Sequence, residues 1–73
     1  MLMDNTIRVE RAKKRMTQAE LAEKVNVSRQ TIHSIETGKF VPSTVLSLKI
    51  ARYFNCELED VFILTEEGMI DND

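Results

Sequence analysis

Residues 17–39 read TQAELAEKVNVSRQTIHSIETGK, and the rest of the chain is arranged around them. Thr17 and Glu20 have the spacing of a capping box, in which the threonine hydroxyl accepts an orphan backbone N–H and the glutamate reaches back. A helix is therefore predicted to begin here. Leu21 and Val25 lie one turn apart and form its buried stripe, with Ala22 small enough to let another helix approach closely. Glu20, Glu23 and Lys24 take the outer face. Asn26 tolerates the left-handed conformation with which helices commonly end, so the helix stops there and Val27 fills the corner. Ser28 is then a good N-cap for a second helix over residues 28–36, whose buried positions Ile32 and Ile35 are three apart. Thr37, Gly38 and Lys39 close it with a C-cap glycine. Arg29, Gln30, His33 and Ser34 project from its other side.

A polar row near the N-terminus of an exposed helix suits the major groove of double-stranded DNA. That groove admits one α-helix, in which Arg pairs bidentately with guanine and Gln with adenine. Arg29 and Gln30 are the first candidates for base contact. His33 lies one turn beyond Arg29 and Ser34 one turn beyond Gln30, while Ser28 sits at the helix end that enters deepest. Gln18, opening the preceding helix, is placed to hydrogen-bond a phosphate with its side chain, assisted by the backbone N–H groups of that helix end. Such a contact sets register, not sequence.

The stretch resembles the Cro-type helix-turn-helix family, the lambda-repressor-like regulators also called the xenobiotic-response-element family. The signature is TQ-x-x-LA-x-x-x-x-VSRQTI-x-x-IE-x-GK, which fixes about a dozen positions and belongs to a looser likeness running from Met1 to about Phe62. The resemblance implies an all-α, five-helix lambda-repressor-like domain. It implies base contacts for Arg29, Gln30 and Ser34 and phosphate contacts for Gln18, Thr37 and Lys39. It also implies that Arg11 pairs with Glu36, bracing helix one against the end of the second helix of the motif, a role suited to a planar guanidinium. Two positions depart from the family. Asn26 stands where the turn residue is usually Gly, and Arg15 where a Gly is common; Asn accepts the turn, and Arg15 adds charge near phosphates.

Composition bounds the rest. A chain of 73 residues holds one domain, with a core that is marginal without a partner subunit, a metal or disulfides. One cysteine rules out an intrachain disulfide and the lack of Cys/His clusters argues against structural zinc, so self-association as a homodimer is the remaining help. No cofactor, metal or small-molecule ligand is expected. The opening MLMDNTIR lacks the apolar run of a signal peptide or membrane span, which points to a cytoplasmic protein with no membrane partner. The net charge of -2 splits unevenly: residues 1–40 hold eight Lys or Arg against five Asp or Glu, and residues 41–73 hold two against seven. A basic half can face phosphates while an acidic half points away; ordinary surface solvation would give the same totals.

In chain order, helix one is expected from Asn5 or Thr6 to Arg15, with Ile7 and Met16 buried. Arg11 falls one turn after Ile7, where an aliphatic residue would be normal. Its readings are the ion pair with Glu36 or a stem packed on the surface with the head in water. Lys13, Lys14 and Arg15 form a basic cluster that is either a solvated face or a phosphate site. Pro42 and Ser43 mark a turn and an N-cap; Leu46, Ile50 and Phe54 then give helix four its core stripe, with Ala51 alongside. ELEDVF makes a short fifth helix around residues 58–62. The domain is placed at 1–64 and an acidic tail at 65–73. Residues 62–65 are apolar and β-prone, and Glu66-Glu67-Gly68 signals a turn. This segment has three readings: a ribbon with residues 2–4, a dimer interface of Phe62, Ile63 and Leu64 as in many relatives, or Phe62 capping the core with the remainder fraying.

Enzyme chemistry is not expected. His33 is the only histidine and Cys56 the only cysteine, so no nucleophile–base pair or metal trio is visible. The sequence is read as a homodimeric regulator, a repressor binding an inverted-repeat operator through residues 28–36. The rival reading is an antitoxin or docking module acting with a partner protein, against which the polar row stands in place of apolar anchors.

Overall fold

The computed structural model describes residues 2–70. In chain order these form β1 (Met3–Asn5), α1 (Ile7–Lys13), α2 (Gln18–Lys24), α3 (Arg29–Glu36), α4 (Thr44–Tyr53), α5 (Leu58–Val61), β2 (Phe62–Leu64) and α6 (Glu66–Met69). The described residues thus hold six helices and a two-stranded antiparallel sheet, not five helices.

None of these helices exceeds ten residues, a length at which an isolated helix is marginal, so their ends matter. Side-chain caps open most of them. Thr17 Oγ1 accepts from Glu20 N at 3.0 Å while Glu20 Oε1 accepts from Thr17 N at 2.8 Å, completing the capping box. The Thr17 backbone N–H, then its side chain, hold the Glu20 carboxyl below the usual carboxylate range. Ser28, Ser43 and Thr65 accept in the same way from Thr31, Leu46 and Gly68.

Four helices share one ending. Arg15, Asn26, Gly38 and Asn55 have φ of 53°, 62°, 79° and 58°, following α1, α2, α3 and α4 in turn. At each, the residue after the left-handed one donates back five positions: Met16 to Arg11, Val27 to Ala22, Lys39 to Ser34 and Cys56 to Ala51, all at 2.9 Å. These are Schellman motifs, in which orphan carbonyls are satisfied as the chain reverses. Met16, Val27 and Cys56 then pack partly buried against the core, supplying the apolar contact that accompanies the motif. The positive φ at Arg15 is the physical reason a glycine would be at home there. It also ends α1 at Lys13, short of the Arg15 end expected from sequence.

Ile7, Leu21, Ile32, Ile35, Ile50 and Val61 are fully buried, one or two from each of α1 to α5, with Phe54 and Phe62 closing the core. The ribbon between the chain ends forms in the register Met3↔Leu64, Asp4↔Ile63 and Asn5↔Phe62. Thr6 N extends this junction to Val61 O at 2.9 Å. Phe62 is only 7% exposed, so its ring belongs to this chain's own core, whereas Ile63 and Leu64, at 46% and 53%, are exposed. Alternation along the strand turns Phe62 inward and its neighbour outward. Glu66, Glu67 and Gly68 lie in α6 instead of a turn because Thr65 caps them. A Cβ at Gly68 would collide with the Leu2 carbonyl oxygen, so α6 sits directly on the ribbon. Of the acidic tail at 65–73, residues 71–73 lie outside the described residues.

Arg15 is exposed and strained by its left-handed backbone. Arg15→Gly is expected to raise stability by about 0.5–1 kcal/mol in urea denaturation, and Arg15→Val to lower it.

Candidate nucleic-acid interface

The motif helices α2 and α3 are held together by a buried carboxylate. The Glu36 side chain is 1% exposed, and Arg11 reaches it through two bonds, Nε to Oε2 at 2.6 Å and Nη2 to Oε1 at 3.0 Å. Arg11 Nη1 donates to the Met16 carbonyl at 2.8 Å, fixing the α1–α2 turn. Gln18 Nε2 donates to Glu36 Oε1 at 3.1 Å and lies 3.3 Å from His33 Nδ1. Helix one, the first residue of α2 and the last of α3 therefore meet at one carboxylate, and Arg11 ties the α1–α2 turn to them.

Burying Ile32 and Ile35 on one side of α3 forces residues 29, 30, 33 and 34 to the other. Arg29 and Gln30 are exposed, while His33 and Ser34 are partly buried. Gln30, Ser34, Lys39 and Phe40 line one recess with Thr31. Phe40, 47% exposed beside the row, was not singled out from sequence. Its only sequence signal is an aromatic immediately after the C-cap glycine and Lys39.

The remaining candidates are differently engaged. Ser28 is the residue before α3; its Oγ accepts from Thr31 N and lies 3.0 Å from Thr31 Oγ1. The Thr37 hydroxyl donates to the carbonyls of His33 at 3.0 Å and Ser34 at 3.3 Å, so a phosphate would compete with them for its hydrogen. The basic cluster divides: Lys13 pairs with Glu10 at 3.1 Å, Lys14 lies over the Tyr53 ring at 5.8 Å, and Arg15 has no such partner among the described residues. A further brace was also missed. Asn5 Nδ2 donates to the Ile35 carbonyl at 3.0 Å while its Oδ1 accepts from Ile7 N, tying the ribbon and α1 to the end of α3. An asparagine ahead of a helix signals a cap, but nothing in sequence links it to a carbonyl thirty residues away.

Away from this face, partial burial and then the carboxylates of Glu10 and Asp60 push the Cys56 thiol up, which disfavours the thiolate form. Among the described residues no three or more of His, Cys, Asp and Glu form a metal-binding group, and no helix is long and apolar enough to cross a membrane.

Residues 7–61 match the helix-turn-helix family model, so the chain belongs to the helix-turn-helix family. An uncharacterized HTH-type transcriptional regulator of Archaeoglobus fulgidus is 54% identical over 67 residues, covering 92% of this chain and 96% of the relative. YgzD, an uncharacterized HTH-type transcriptional regulator of Bacillus subtilis, is 46% identical over 66 residues, covering 90% of this chain and all of its own length. Among solved structures, the P22 c2 repressor in complex with a synthetic operator superposes with a TM-score of 0.69 at 28% identity, covering 73% of this chain and 80% of that one. LexA of Eubacterium rectale, an SOS-response transcriptional repressor, gives 0.71 at 31%, over 75% of this chain and 58% of that one. The protein is a sequence-specific DNA-binding transcriptional regulator of the helix-turn-helix class, related to Cro/CI-like and LexA-like regulators.

Removing Arg11 would leave the Glu36 carboxylate buried without its cation. Arg11→Ala is expected to cost about 3–5 kcal/mol in urea denaturation, against less than about 0.5 kcal/mol for the exposed Arg8→Ala. Equal losses from the two would remove the ion pair's structural role.

Proposed function

We propose that this protein is a cytoplasmic repressor of the Cro-type, xenobiotic-response-element group that binds an inverted repeat as a homodimer. The observation that carries the reading is the exposed pair Arg29 and Gln30 on the first turn of α3, opposite the buried Ile32 and Ile35. Arg29 reads guanine and Gln30 adenine through paired hydrogen bonds, with His33 and Ser34 extending the row and Ser28 beside the deepest point. Phe40 suits a thymine methyl at the end of that row. Arg15 and Lys39 flank α2 and α3 as phosphate contacts, joined by Thr37 and by the helix-end backbone at Gln18. Ile63 and Leu64 are the exposed apolar residues of β2 and are assigned to a partner copy, and a two-fold operator rewards a two-fold protein.

Selection from random duplex DNA at physiological salt is the test, because weaker salt lets any basic surface bind. The expected product is an inverted repeat with half-sites about one helical turn apart. Arg29→Ala is expected to lose about 1–3 kcal/mol at that site and to relax one base position, whereas Lys39→Ala weakens all sequences alike. Folded protein that enriches nothing would favour the antitoxin or docking role. In light scattering at micromolar concentration the protein is expected to be a dimer that Ile63→Glu converts to a monomer; a wild-type monomer would remove the dimer from the proposal.

A further inference from the structure

The bonds among Glu36, Gln18 and His33 fix hydrogen positions as well as side-chain positions. A carboxylate only accepts, so the Gln18 amide atom 3.1 Å from Glu36 Oε1 is its nitrogen. That same Nε2 lies 3.3 Å from His33 Nδ1. Each of its two hydrogens then has an acceptor, which requires Nδ1 to be bare. A neutral imidazole with a bare Nδ1 carries its proton on Nε2.

Among the described residues His33 Nε2 has no hydrogen-bond partner and no buried side-chain nitrogen or oxygen lacks one, so Nε2 reaches solvent. His33 stands on the helix side that carries Arg29 and Gln30. Gln18 Oε1, also without a partner among the described residues, reaches solvent too, and it is an acceptor, the wrong polarity for a phosphate oxygen.

Resting on the base reading proposed above, we infer that Gln18 is a positioning residue whose side chain does not bind phosphate. It locks His33 as an Nε2–H donor that selects a hydrogen-bond acceptor on a base edge. In the major groove those acceptors are guanine N7 and O6, adenine N7 and thymine O4, whereas the cytosine N4 amine is a donor and is refused. The chain of control runs from Arg11 through Glu36 and Gln18 to His33. Without the lock the imidazole can present either a donor or an acceptor, and the refusal of cytosine weakens.

The test has one arm without DNA and one with it. Nitrogen-15 NMR of the wild-type imidazole at about pH 8, where an ordinary histidine is neutral, is expected to show the proton on Nε2 and a bare Nδ1. The isosteric Gln18→Met should displace the Nδ1 resonance. In duplex selection, Gln18→Met and His33→Ala are both expected to lose roughly fivefold discrimination at the same base pair, the size of one net hydrogen bond, with other positions unchanged. A proton on Nδ1 in the wild type overturns the inference alone. So does Gln18→Met weakening all sequences uniformly without changing base choice, as loss of a phosphate contact would. A wild-type protein that selects no sequence overturns the base reading and, with it, the His33 selection. If Gln18→Met does not fold, the wild-type spectrum decides the hydrogen positions by itself.

Discussion

The bidentate bond between Arg11 and Glu36 is the constraint on which the placement of α3 depends. A carboxylate that is 1% exposed is costly unless its lone pairs are occupied, and here Arg11 and Gln18 occupy them. Three elements converge to do so, and none can shift without leaving the charge uncompensated. Small hydrophobic cores tolerate sliding of one helix over another; a buried ion pair with fixed fork geometry does not. The orientation of α3 relative to α1 and α2 is thereby set to within the tolerance of a hydrogen bond.

The second organising device is the repeated helix ending. Helices of seven to ten residues have almost as many orphan backbone groups as bonded ones. Left-handed residues at 15, 26, 38 and 55 satisfy the last carbonyls and reverse the chain within a few residues. Short connections follow, so little loop must be ordered. Only one of the four positions is a glycine. Asn is the next most tolerant residue, while Arg15 carries the strain outright and gains in return a cation beside the start of α2.

The closing ribbon connects the two ends of the chain to the same frame. Asn5 sits at once in β1, ahead of α1 and under the last turn of α3, so the ribbon supports α3 from below. Of the apolar residues of the C-terminal segment, Phe62 is in the core, while Ile63, turned to the other face by the pleat, and Leu64, at the end of the strand, are exposed.

The sequence alone determined the helix starts at Thr17, Ser28 and Ser43, the ends at Asn26 and Gly38, the core stripes and the polar row, because caps and periodicity act over three or four residues. Those signals are local, and each is written in adjacent side chains. The count of helices was not legible: α6 depends on Thr65 capping a segment whose Glu-Glu-Gly composition favours a turn. Nor was the division of labour at residues 62–64, which follows from register against β1. The roles within the polar network were hidden for the same reason. Gln18, His33 and Glu36 meet only when α2 packs on α3, and Asn5 meets Ile35 only when the ribbon closes. Tertiary structure decided which polar atoms are spent inside the protein and which face outward, because a hydrogen bond between distant residues exists only once packing has brought its donor and acceptor within about 3 Å.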